Sequence, residues 1–282
     1  MAEIAAIVFA AGKGTRMTGY DGNKTLLPLV PGKSIFEGER PLIREVLDNL
    51  PPGPKGVVVN HRAEDVRDST RAPGIEYIHQ PRTNGTGGAL LAARPFIERT
   101  GAQSVIITMG DVPLIRPATY RALVEMLGTC DMALLAFEPE DRARYGMLEM
   151  EGERVARIVE WKYWSDPQKF PPQRRAKLRC CNAGVYAAGR KLLLEYMGKL
   201  EDRPHEVLKE IEGRETLIRE YFLTDIAEMM HADGLFVGMA RASEAEVTGV
   251  DTPASLAAVQ KMYAQLAMAR DEGPRAGSKD QA

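Results

Sequence analysis

Short, continuous apolar runs rich in β-branched residues set the tightest limit on the fold. They occupy residues 5–9, 56–59, 104–108 and 131–136. A strand with one solvated face alternates apolar and polar side chains, whereas a strand covered on both faces reads as an unbroken apolar run. Between these runs lie helical spacings, Leu42-Ile43-Val46-Leu47-Leu50 and, after Gly87-Gly88, Ala89-Leu90-Leu91-Ala92-Ala93. Strands alternating with helices predict an α/β fold with a mainly parallel sheet and right-handed crossovers. Ligands in such sheets gather beyond the carboxyl ends of the strands, near a topological switch point. Chemistry is therefore expected just after Phe9, just after Ile107 or Thr108, and around Gln80.

The second half follows a different pattern. Residues 145–159 alternate over short stretches with a turn at Glu151-Gly152, and residues 183–187 form another strand, so a mixed-sheet region is added here. Residues 164–179, with Pro167, Pro171, Pro172 and several basic side chains, are expected to be a loop. A helix over residues 253–269 closes the fold, and residues 268–282 are expected to form a disordered tail.

With 44% hydrophobic residues, a chain of 282 can bury one large core or two closely joined ones. A net charge of −2 provides no broad basic field, which argues against nucleic-acid and membrane-surface binding. Any anion must then meet a local cluster of donors. No segment approaches the roughly 18–20 apolar residues of a membrane helix. Cys130, Cys180 and Cys181 fit neither a disulfide framework nor a zinc spacing, and no basic leader precedes the first apolar run, so a reducing cytoplasm is the expected setting.

The first strand ends in Ala10-Ala11-Gly12-Lys13-Gly14-Thr15-Arg16-Met17. Its small residues let backbone N–H groups approach a phosphate chain, and Lys13 and Arg16 add charge. A dinucleotide fingerprint needs glycine where Met17 stands, and a P-loop ending at Gly32-Lys33-Ser34 needs glycine where Leu27 stands. Taken alone, the segment is an anion-binding turn or an ordinary strand-to-helix turn.

Further blocks follow it along the chain: Lys24 and Pro28, Gln80 with Gly85-Thr86-Gly87, Gly110-Asp111-Val112-Pro113-Leu114, and Tyr145-Gly146. Then come Ile158-Val159-Glu160 with Lys162, Asn182-Ala183-Gly184, Glu220-Tyr221-Phe222-Leu223-Thr224-Asp225 and Gly249-Val250-Asp251. In this order, over nearly the whole chain, the blocks resemble the sugar-phosphate nucleotidyltransferases. Within that family they are most similar to the uridyltransferase domain of the bacterial bifunctional enzyme that makes UDP-N-acetylglucosamine.

The resemblance implies a Rossmann-like, GT-A-like nucleotidyltransferase fold over residues 1–267, with a nucleotide-binding part of about 1–115 and a sugar-phosphate-binding part of about 116–267. It implies that Phe9, Ala10, Ala11, Gly12, Gly14, Thr15 and Gly110 contact the nucleotide, and that Gln80, Gly85 and Thr86 hold the base. An amide such as that of Gln80 can both donate to and accept from a uracil ring. Gly146, Glu160, Asn182 and Thr224 are implied on the sugar side. Asp111 and Asp251 are implied to bind Mg2+, Asp251 standing where the family usually has asparagine. Arg16 and Lys24 are implied to be the catalytic cations, Arg16 on the β- and γ-phosphates and Lys24 on the α-phosphate.

The implied substrates are a nucleoside triphosphate, UTP, and a sugar 1-phosphate, N-acetylglucosamine 1-phosphate. Another triphosphate and sugar phosphate, or a nucleotide-sugar sensor without turnover, are the competing readings. Departures from the family pattern include Met109 for a tyrosine, Met147 for an arginine, a long basic loop after Lys162 and an insertion over 34–41. The hexapeptide-repeat acetyltransferase half is absent, so neither acetyl transfer nor a repeat-domain trimer is expected.

Overall fold

The computed structural model describes residues 3–142, 145–211 and 214–271. The first half supplies β1 (Ile4–Ala10), a hairpin of β2 (Pro28–Ser34) and β3 (Glu37–Pro41), β4 (Lys55–Val59), β5 (Ile75–His79) and β6 (Ser104–Met109). The second half adds β7 (Met132–Phe137), a hairpin of β8 (Met147–Glu151) and β9 (Arg154–Val159), and β10 (Cys181–Gly189). A ribbon of β11 (His205–Ile211) and β12 (Arg214–Glu220) follows, then β13 (Val237–Arg241).

The main sheet runs β13-β7-β10-β6-β1-β4-β5. Strands β1, β4, β5 and β6 are parallel. Strand β10 is antiparallel to both β6 and β7, and β13 is parallel to β7. The β8–β9 hairpin attaches to β10 where Met147 faces Cys181. After β1 the chain moves outward to β4 and β5, then crosses to β6 on the other side. The switch point therefore lies at the ends of β1 and β6, where the sequence places chemistry.

Alternate residues of one strand feed two cores, as the twofold side-chain period of a strand requires. Ile7 and Phe9 of β1 pack with Leu90, Phe96, Leu193, Tyr196 and Ile226. Ala6, Val8 and Ala10 pack with Ile43, Val46, Val66, Tyr120 and Leu123 on the opposite face. Each large aliphatic side chain buried this way contributes roughly 1.5–3 kcal/mol. A third, smaller core joins the β2–β3 hairpin to the helix Pro253–Asp271 through Met17, Leu29, Leu114, Val250, Leu256 and Val259. The buried Gln260 side chain of that helix donates to the carbonyls of Pro28 and Ile35, 2.8 Å each.

The expected strands are all present, and Gly152 at φ +60° makes the expected turn between β8 and β9. The segment expected as an insertion over 34–41 forms the turn and return strand of the β2–β3 hairpin, which leaves that expectation as it stands. Two expectations need correction. Residues 164–179 include a helical turn, Pro172–Arg175, with proline at its first position, where the missing N–H has no intrahelical partner to lose. The last helix continues to Asp271, beyond 269 and into the segment expected as a tail. Residues 272–282 lie outside the described residues. Among the described residues no helix is long and apolar enough to cross a membrane.

Candidate functional site

A cavity of about 310 Å³ opens at the switch point. Phe9, Ala10, Ala11 and Gly12 wall it from the end of β1, and Met109 and Asp111 from the end of β6. Gln80, Thr83, Gly85, Thr86 and Ala89 close the β5 side, and Lys24 and Thr25 complete the wall. Of the expected nucleotide residues, Gly14, Thr15 and Gly110 stand outside this lining. Gly14, at φ +62°, lies where an added Cβ would be 3.3 Å from the Lys24 stem. Thr15 is exposed. Gly110 donates to the Phe9 carbonyl at 2.9 Å, and a Cβ there would sit 3.0 Å from that same oxygen. The end of β6 closes over β1 because the residue is glycine.

The buried Gln80 amide donates to Asn84 Oδ1 at 3.2 Å and to the Gly85 carbonyl at 3.4 Å. Gly85, at φ +93°, presses its backbone on the Tyr221 carbonyl, which also accepts from Gly87 N at 2.8 Å. Leu223 N donates to Thr86 Oγ1 at 3.2 Å. The expected base-holding residues are thus fastened to the segment that carries Thr224.

At the cavity mouth four charges form a chain. The Lys24 ammonium bonds to Asp111, and at 2.6 Å to Asp251 Oδ1. Arg16 reaches the other Asp251 oxygen at 2.9 Å. Burial alone would push the Lys24 ammonium down, but the two carboxylates outweigh it and hold it above its ordinary value. Burial would likewise raise the Asp251 carboxyl, and Lys24 and then Arg16 more than offset this and hold it below its ordinary value. Val250 N donates to the Asp111 carbonyl at 2.9 Å, which ties the two acid-bearing segments together.

Among the described residues no group of three or more His, Cys, Asp or Glu gathers in metal-binding geometry. The pair Asp111 and Asp251 is nevertheless a fit for a hard divalent cation. Both converge on the Lys24 ammonium, so a cation displacing it would meet two hard oxygen donors, and magnesium characteristically takes one or two carboxylates and keeps several waters.

The expected sugar-side residues also meet. Asn182 N donates to the Gly146 carbonyl at 2.8 Å, and Thr224 Oγ1 donates to Glu160 Oε1 at 2.9 Å. A Cβ on Gly146 would approach Glu160 Oε2 at 3.8 Å. Asn182 is oriented from both ends, since its Nδ2 donates to Tyr186 at 2.7 Å and its Oδ1 accepts from Gly184 N at 3.1 Å. Burial pushes the Glu160 carboxyl above its ordinary value, against the opposing effects of Thr224 and Lys162. Met109 lines the first cavity and comes within 3.4 Å of a Cβ built on Gly184, so the two residue sets adjoin.

Sequence reasoning missed Asn23, Thr25, Thr83 and Ala89. Asn23 is fully buried and N-caps the turn Lys24–Leu26. An asparagine placed immediately before Lys-Thr was the available signal for such a cap.

The profile of the MobA-like NTP transferase domain matches residues 6–202. The bifunctional protein GlmU of Cereibacter sphaeroides is 33% identical over 273 residues, covering 95% of this chain and 54% of that protein. GlmU of Sphingopyxis alaskensis is 31% identical over 281 residues, covering 98% of this chain and 55% of that protein. The chain spans about half the length of these curated relatives. Among solved structures, the uridine diphosphate N-acetylglucosamine pyrophosphorylase of Trypanosoma brucei superposes with a TM-score of 0.69 at 14% identity, over 92% of this chain and 65% of that one. That likeness concerns the fold, including the mixed, mainly parallel sheet with flanking helices. With the profile covering well over half of its length, the chain belongs to the family of MobA-like NTP transferase domains.

Proposed function

We propose that the chain transfers a uridylyl group from UTP to N-acetylglucosamine 1-phosphate, releasing pyrophosphate. The observation that carries this reading is the charged chain Arg16–Asp251–Lys24–Asp111, whose Lys24 and Asp111 line the cavity, while Met109 of the same wall approaches Gly184 beside Asn182.

The sugar phosphate is ionised at neutral pH and needs no general base. Its oxygen attacks the α-phosphorus in line, and the bond to the β-phosphate breaks. Positioning two anions against their repulsion is then the main task, and cations suit it. Lys24, at the cavity wall, faces the α-phosphate. Arg16, more exposed, receives the leaving β- and γ-phosphates. Asp111 and Asp251 would hold magnesium, which would supply Lewis-acid neutralisation of phosphate charge. Gln80 reads the uracil edge, while Glu160 and Asn182 accept from and donate to sugar hydroxyl and acetamido groups.

The GlmU relatives and the profile match support this reading, and three free, buried cysteines support a reducing cytoplasm. The test is pyrophosphate release measured over a grid of triphosphates and sugar 1-phosphates, with magnesium and with chelator. UTP with N-acetylglucosamine 1-phosphate should give the highest kcat/KM, and chelation should abolish it. A different best pair would displace the substrate assignment, and saturable binding without turnover on any pair would replace the enzyme with a sensor.

A further inference from the structure

Asn23 is a fully buried polar side chain with every hydrogen-bonding capacity in use. Its Nδ2 donates to the Ala10 carbonyl at 2.7 Å and to the His61 carbonyl at 2.9 Å. Its Oδ1 accepts from Thr25 N at 3.0 Å and from Thr25 Oγ1 at 2.8 Å. An amide has two donors and two acceptor lone pairs, and all four are matched. A buried amide is costly unless so satisfied, and a cap alone would need only one acceptor. The two donors do something a cap does not require: they fasten the turn that carries Lys24 to the end of β1, whose Ala10 lines the cavity, and to His61 just beyond β4.

From this geometry we propose that Asn23 is a positioning residue for nucleotidyl transfer, a tether that fixes the distance between the nucleotide-facing end of β1 and the Lys24 ammonium. The proposal rests on the transferase reading for its consequence and on geometry for its cause. Without the two donors, the Lys24 turn keeps its cap but loses its anchor on β1, and the Lys24 contacts to Asp111 and Asp251 loosen.

The decisive variant is Asn23→Ser, whose hydroxyl can still cap the turn but is too short to reach both carbonyls. Thr70→Val removes another buried hydroxyl, bonded to Val66 and Tyr77 and outside the cavity lining, and serves as the control. The first readout is independent of activity: the rate at which an amine-acylating reagent modifies Lys24, followed by peptide mass spectrometry. Losing even one of the two carbonyl bonds corresponds to a rate increase of about fivefold in Asn23→Ser, and losing both to more, with Thr70→Val matching the parent. The second readout is kinetic, a fall in kcat at an unchanged KM for the sugar phosphate. Parent-like Lys24 labelling in folded Asn23→Ser, or equal acceleration in Thr70→Val, overturns the tether.

Should wild type lack turnover, the labelling result still decides the tether while the transferase reading falls separately. Hydrogen exchange on the unmodified protein provides a check free of any variant. The amides of 10–12 and 24–27 should open together, and independent opening overturns the proposal.

Discussion

Replacing Lys24 with methionine keeps the stem that packs on Gly14 and removes the ammonium. In the parent protein a divalent cation that reaches both carboxylates must displace an ammonium bonded to each. A hydrogen bond to a charged group contributes about 1.5–3 kcal/mol net. The Asp111 contact joins side chains that are each 15% exposed, so it falls near the middle of that range, about 2 kcal/mol. The Asp251 carboxylate is 39% exposed and keeps Arg16, so solvent screening reduces its share to about 1 kcal/mol. Together they amount to about 3 kcal/mol, on the order of 100-fold in a dissociation constant.

Lys24→Met should therefore bind Mg2+ or Mn2+ more tightly than the parent in the absence of nucleotide. Its turnover should nevertheless fall by at least about 100-fold, or about 2.7 kcal/mol. Calorimetric titration of both proteins with the bare cation measures the first quantity and pyrophosphate release the second. Equal or weaker cation binding by Lys24→Met would refute the competition between ammonium and metal, whatever happened to turnover.

Glu160→Gln should be more stable than the parent at neutral pH. The raised Glu160 carboxyl binds more protons folded than unfolded, so stability is lost as pH climbs from the ordinary value of 4.5 through the raised one, and glutamine avoids that loss. Thermal unfolding across pH should show the advantage vanish below 4.5, and KM for the sugar phosphate should rise throughout. Gly85→Ala forces a side chain into φ +93° against the Tyr221 carbonyl and should cost about 2 kcal/mol or more in urea unfolding; an unchanged midpoint would show that the contact relaxes freely. Arg40→Met leaves the buried Glu45 carboxylate with only Asn49 and Tyr263, at 3.3 Å each. It should cost about 2 kcal/mol, less than a fully broken buried pair because those donors remain, and an unshifted urea midpoint would contradict this.

The sheet was legible because burial on both faces leaves an unbroken apolar run, as in residues 104–108 of β6. The glycine turn said little alone, and Lys24 and Asp251 gained meaning only through blocks spread along the chain. What stayed hidden depends on distant partners. The helix Gly85–Ala92 starts well before its apolar stretch because the Gly85 conformation is set against Tyr221, and no local pattern encodes that contact. The helical turn Pro172–Arg175 is held by Arg142, which donates to the carbonyls of Arg175 and Leu178, and by the buried Phe170 beside it. The cap at Asn23 had a local signal, but its bonds to the Ala10 and His61 carbonyls had none, because a carbonyl carries no residue identity.

The charged chain joins residues 16 and 24 to residue 251, and the Lys24–Asp251 pair spans 227 positions. Contacts so distant in sequence form slowly, since the intervening chain must first be ordered. During synthesis Lys24 and Asp111 become available long before Asp251, which arrives just ahead of the helix that packs on the β2–β3 hairpin. A chain halted before residue 251 would hold most of the sheet and the cavity walls while lacking the carboxylate that completes the cluster. Under the transferase reading, competence would wait for residue 251, and a product halted before it would present the cavity without the completed cluster of charges.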